Sequence, residues 1–252
     1  MLARGSALAV TLVVLSCTPR PAPTEERVAA EASVPAASTS PASKVITLAP
    51  ASAPATCLVV LLHGVGADAA SFQDLGRALA GDVPRCEMLV PDGFHPFDRA
   101  ESGRQWYSMT GVTDANRAAR VREGALEVSR WIDAELARRK LPGERLALVG
   151  FSQGAMVSSW LAVHRTPRPA AVVMLSGRVS DDDPPTKGAP VPVLVAHGDA
   201  DAVVPVSVVE PGERVLTAWG ARVTTRVYPG LAHRVTPEEL REAGAFLKRA
   251  LE

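Results

Sequence analysis

Neither sign of charge is in excess in this chain. Its 252 residues carry 27 Lys and Arg against 27 Asp and Glu, so the formal net charge is zero. A nucleic-acid binder needs clustered positive charge to displace counterions from phosphate, and that class is excluded. Lysine is scarce, at Lys44, Lys140, Lys187 and Lys248, a compositional bias without functional content. Aromatic residues make up 4% of the chain, which weighs against the broad aromatic cleft of a sugar or peptide binder. The charge-free stretch Gly5 to Pro19 has 15 residues, short of the roughly 20 that span a bilayer. No internal repeat occurs. The five histidines include no HxxxH pair, so neither a metal nor another cofactor is expected.

What is present is ordinary globular composition, 47% hydrophobic and 21% charged, which excludes global disorder. The length suits one large α/β domain or two small ones. A core of this size needs no disulfide or metal to be stable. At the N-terminus, Arg4 precedes an apolar run from Ala7 to Leu15 and then Ser16-Cys17, the pattern of a secretory signal. Val14-Leu15-Ser16-Cys17 resembles the lipobox of bacterial lipoproteins, which implies a signal over 1–16 and a lipidated Cys17; a plain secretory signal is the alternative. From Thr18 to Ser43, 19 of 26 residues are Pro, Ala, Ser or Thr. Such a segment buries too little apolar surface to offset its ordering entropy. It reads as a flexible tether over 17–44.

From residue 45 onward, short apolar runs alternate with helical patterns. The runs are Val45–Leu48, Cys57–Leu62, Glu87–Val90, Leu146–Val149, Ala171–Leu175, Val193–Ala196 and Arg222–Tyr228. Most are continuous rather than alternating, which marks strands buried on both faces of a parallel sheet. Helices are expected over Ser71–Ala80, Asp114–Lys140 and Gln153–His164, with a last one opening at Thr236-Pro237-Glu238-Glu239. That tetrapeptide is a capping box with Pro at the first helical position. The alternation predicts an open α/β domain over 45–252: about seven mostly parallel strands, with helices on both faces. Ligands in such sheets bind beyond the carboxyl ends of the strands.

Three strand ends carry related chemistry. Gly150-Phe151-Ser152-Gln153-Gly154 opens a helix directly after a strand. A turn that sharp leaves no room for side chains beside the serine. His197 to Pro205, containing Asp199 and Asp201, follows a second strand. Tyr228-Pro229-Gly230-Leu231-Ala232-His233 closes a third. A serine hydroxyl is a weak nucleophile until an imidazole takes its proton, and a carboxylate fixes that imidazole's tautomer. The order serine, acid, histidine is that of the α/β-hydrolase triad.

With Leu62-His63-Gly64-Val65-Gly66-Ala67-Asp68, Pro91-Asp92-Gly93, Arg104-Gln105-Trp106-Tyr107 and Leu175-Ser176-Gly177 added, residues 45 to 252 resemble the α/β-hydrolase fold. Within it they resemble the phospholipase/carboxylesterase family, which includes acyl-protein thioesterases. The resemblance implies Ser152 as nucleophile, Asp201 as orienting acid and His233 as general base. It also implies an oxyanion hole from the amides of Val65 and Gln153, and a substrate pocket lined by Trp106 and Leu231. The family often has Asp where Ser108 stands. Asp199 is the rival acid. His63 and His197 read as structural residues of glycine turns, His95 and His164 as surface positions. A metal site from His63, His197 and the aspartates is the alternative. The family's strand order would set Cys57 and Cys86 on adjacent strands, as a disulfide or as two buried thiols.

The expected activity is hydrolysis of carboxylic esters or thioesters with short to medium acyl chains, through an acyl-enzyme. The longest candidate lid is the loop Pro91 to Thr113. Alternatives are a lysophospholipase or polyester depolymerase with the same triad, and a non-catalytic lipid-anchored binding module. The expected partners are a small-molecule ester and, through the lipid on Cys17, a membrane. Thr18 after the cysteine fits delivery to the outer membrane of a bacterial cell envelope.

Overall fold

A computed structural model describes residues 44–180 and 183–252. Residues 1–43, which hold the expected signal, Cys17 and all but Lys44 of the expected tether, lie outside the described residues. In chain order the elements are β1 (Val45–Leu48), β2 (Cys57–Leu62), α1 (Ala69–Ala80), β3 (Cys86–Pro91), the short β4 (His95–Pro96) and β5 (Arg104–Gln105), and α2 (Asp114–Arg139). There follow β6 (Leu146–Phe151), α3 (Gln153–His164), β7 (Ala171–Leu175), β8 (Val191–Gly198), α4 (Val209–Ala218), β9 (Ala221–Tyr228) and α5 (Pro237–Leu251). Seven strands form one sheet in the order β1-β3-β2-β6-β7-β8-β9. β1 is antiparallel to β3 and every other neighbouring pair is parallel.

The continuous apolar runs are buried on both faces, as their pattern requires. In β2, Leu58, Val60 and Leu62 enter one core with α2, α3 and α4. Cys57, Val59 and Leu61 enter the other with α1 and α5. On α2, Val121, Ala125, Val128, Ile132 and Leu136 form the buried line. At α5 the Thr236 side chain accepts from the Glu239 amide, with Pro237 at the first position. Cys57 and Cys86 are register partners on β2 and β3, and the structure joins them as a disulfide.

Two regions depart from expectation. Residues 209–218 form α4, although Val206 to Val209 is rich in β-branched residues and Pro211-Gly212 follows. Pro211 sits in the first helical turn, where its missing N–H breaks no intrahelical bond. The loop 91–113 is no free lid. Its strands β4 and β5 pair, and it bonds back to the β2–α1 loop through Gly66 N–H to the Arg104 carbonyl and Arg104 N–H to the Ala67 carbonyl, both 2.8 Å. β6 and β8 also run further than their apolar runs, carrying Gly150-Phe151 and His197-Gly198 as their last residues.

Candidate active site

β6 ends at Phe151 and α3 begins at Gln153, so Ser152 alone makes the turn. Its backbone lies at φ 52° and ψ −113°, a region that costs a non-glycine residue about 1–3 kcal/mol. The flanking glycines hold it there. A Cβ on Gly150 would lie 2.4 Å from the Gly154 carbonyl oxygen, and one on Gly154 would lie 2.0 Å from that of Leu62. Strand and helix therefore close to a distance that any side chain would block, and the serine is forced outward.

Ser152 Oγ lies 3.0 Å from His233 Nε2, and His233 Nδ1 lies 2.7 Å from Asp201 Oδ2. The other oxygen of Asp201 accepts the amides of Val203 and Val204, each at 2.8 Å. Burial by itself would raise the Asp201 pKa. The hydrogen bonds from His233, Val204 and Val203 prevail and hold the carboxyl below its ordinary value. Asp199 instead accepts the Gly230 amide at 2.6 Å, which ties the β8 turn to the loop carrying His233. Of the two acids, Asp201 is the one on the imidazole.

Of the remaining histidines, His197 reaches this array, with Nε2 3.6 Å from Asp201 Oδ2, and the other three do not contact it. His197 is fully buried, with Nε2 2.8 Å from the Val204 carbonyl oxygen, and so braces the Asp201 turn. His63 donates from Nδ1 to the Gly64 carbonyl and accepts the Gly93 amide at Nε2. Burial keeps its pKa low, which favours the neutral ring that this pairing needs. His95 pairs with Glu127 and His164 stacks on Trp160. Among the described residues no cluster could hold a metal ion.

His63 shapes the β2–α1 loop, whose Val65 lines the same depression as Ser152. Gln153 adds a clamp: its side-chain oxygen accepts the Trp106 amide at 2.9 Å and its side-chain nitrogen donates to the Tyr107 carbonyl at 3.0 Å. Two expected pocket residues are placed elsewhere. Trp106 is fully buried, with its indole N–H donating to the His63 carbonyl at 2.8 Å. Leu231 packs in the core on the α1 and α5 face. Both apolar side chains are drawn under the surface, where they support the loops instead of lining the site. Ser108 donates to Asp98, a carboxylate of the same 91–113 loop.

Two depressions flank the serine and histidine. The smaller has a volume of about 160 Å³ and is lined by Ser152, Gln153, Tyr107, Met109, Met156 and Val203, with Arg117 and Arg178 at its wall. The larger, about 580 Å³, is bounded by His233, Phe72, Leu75, Phe151, Val235 and Leu240. Val65 borders both. Sequence reading missed Met156, Arg117 and Arg178. Met156 lies four residues past the serine, one helical turn on, and could have been found from that spacing. The arginines come from separate elements and carry no local signal.

The family described as Phospholipase/Carboxylesterase matches residues 44–251. Esterase YpfH of Escherichia coli is 28% identical over 185 residues, covering 72% of this chain and 78% of that protein. Acyl-protein thioesterase 1 of Mycosarcoma maydis is 26% identical over 224 residues, covering 78% and 92%. Among solved structures, esterase PE8 superposes with a TM-score of 0.74 at 27% identity, over 83% of this chain and all of that one.

Proposed function

The chain belongs to the phospholipase/carboxylesterase family of hydrolases, and from that premise we propose a serine esterase, thioesters included, that works through an acyl-enzyme. The carrying observation is the array Ser152–His233–Asp201, with successive contacts of 3.0 and 2.7 Å at a strained turn. His233 takes the serine proton as Oγ attacks the carbonyl carbon. The amides of Val65 and Gln153 then hold the developing oxyanion. Among the described residues neither amide donates to a backbone carbonyl of a turn, loop or cap. Collapse of the intermediate expels the alcohol or thiol, which takes its proton from His233. Water repeats the sequence and frees the acid.

The two depressions divide the substrate. A leaving group that is protonated by His233 must lie beside it, in the larger groove. The acyl chain then enters the smaller one. That one measures about 160 Å³ against about 580 Å³ for the larger, which favours short acyl chains. We also propose that Cys17 carries lipid and holds the enzyme at a membrane of the bacterial envelope. Radiolabelled palmitate appearing in the full chain and absent from Cys17→Ser checks that separately.

A fluorophosphonate tests the central reading without a guess at substrate. The domain from Lys44 to Glu252 is treated and the adduct located by peptide mass mapping. A stoichiometric adduct on Ser152 that disappears in His233→Ala is expected. Folded protein without an adduct overturns the reading in favour of a non-catalytic binding module.

A further inference from the structure

The smaller depression carries charge that ester hydrolysis does not itself require. Arg117, in the first turn of α2, and Arg178, three residues past β7, both line it beside Ser152 and Met156. Among the described residues the acid paired with them is Asp114, 3.3 Å from Arg117 and 3.5 Å from Arg178. That carboxylate is itself 82% exposed. Among the described residues one solvated negative charge therefore faces two guanidinium groups at the pocket wall. The ligand that fits planar guanidinium donors is a carboxylate, which accepts two parallel N–H bonds.

This builds on the esterase reading above, in which the smaller depression takes the acyl chain. We propose that the enzyme selects acyl groups that end in a second carboxylate: monoesters of short dicarboxylic acids, held by Arg117 and Arg178. A succinyl chain places five non-hydrogen atoms beyond the reacting carbonyl, a short chain suited to the smaller of the two depressions. The reaction balances as before. The Ser152–acyl bond forms, the bond to the alcohol breaks, His233 protonates the alcohol, and water releases the free diacid.

Monoethyl succinate and ethyl butyrate share a leaving group and nearly the same chain length, so their ratio of kcat/KM isolates the terminal charge. Turnover is followed in a pH-stat. The succinate monoester is expected to win by about tenfold or more, and by less as salt is raised. Arg117→Gln with Arg178→Gln should remove most of that preference. Asp114→Asn, which withdraws the competing carboxylate, should increase it and does not depend on the arginine variants folding. A wild-type ratio at or below one, or a ratio unmoved in the folded double variant, overturns the inference while fluorophosphonate labelling of Ser152 leaves the esterase standing. No turnover of either ester and no labelling overturns both.

Discussion

The two depressions that meet at Val65 differ in size, chemistry and origin. The smaller, about 160 Å³, is assembled from the 91–113 loop, α2, α3 and three strand-end loops, and has arginines in its wall. The larger, about 580 Å³, lies mainly between α1 and the start of α5 and is bounded mostly by apolar side chains, with Asp74 and Arg234 also in its lining. The first draws on six separate pieces of chain, four of them loops, so its contents can be varied by substitution in loops. The second is framed largely by two packed helices that also fill a core. A pocket that sits on loops is where specificity is expected to be written, and one on rigid elements is where bulk is accommodated.

Three substitutions break or sharpen that contrast. Ser152→Ala acts on the centre that both sides share. It should lower kcat for every ester by about 10⁴-fold or more, with the same loss whichever side of the substrate is enlarged. A loss that depends on the alcohol would detach the serine from the common step. Val203→Trp comes next. Val203 lines the smaller depression and is 67% exposed, so a larger side chain there narrows the pocket without crowding a core. Each excluded methylene costs about 1–3 kcal/mol, so ethyl butyrate should lose about tenfold to a hundredfold relative to ethyl acetate. Comparing ethyl with octyl acetate should reveal no matching change. Leu240→Ser is the converse and the smaller effect. It removes an apolar wall from the larger groove, and octyl acetate should fall about fivefold against ethyl acetate, since each buried methylene contributes about 0.8 kcal/mol. Equal responses to both variants would abolish the division of the site.

The strands and the serine turn were legible because their causes are local. Cys57–Leu62 is apolar at every position because both faces of β2 are covered. Gly150 and Gly154 flank the serine because backbone approaches to 2.4 and 2.0 Å leave no room for a Cβ. Helix α4 was hidden because its β-branched approach and Pro211 argue against a helix unless the proline's place in the first turn is known. Trp106 and Leu231 lie within motifs, and a motif says where a residue is in the chain, not which way its side chain turns. Arg117 and Arg178 are 61 positions apart in the chain, and only the packing of α2 beside the β7 loop brings them to one carboxylate.

Asp201 joins the two sides, and its replacement has a second, weaker consequence in stability. One oxygen holds Val203 and Val204, which line the smaller depression; the other holds His233 of the larger. The folded carboxyl titrates below its ordinary 3.8, because bonds from His233, Val204 and Val203 outweigh the opposing effect of burial. The unfolded chain lacks those bonds, so it takes up a proton at higher pH than the folded one. Stability from this group is therefore fully present above 3.8 and drains away as pH falls through the lower folded value. Asp98 and Asp68 are depressed in the same direction, Asp98 by hydrogen bonds from its own loop and Asp68 by those of Ser71 in α1, so wild-type acid sensitivity alone identifies no single group. The difference between wild type and Asp201→Asn does. The amide still offers an oxygen to Val203 and Val204 and cannot titrate in this range. Melting curves should separate the two proteins by a few degrees near neutrality, roughly what a 1 kcal/mol change produces, and converge as pH falls below 3.8. A gap that stays constant through that window would show that Asp201 holds no pH-linked tie between the two depressions.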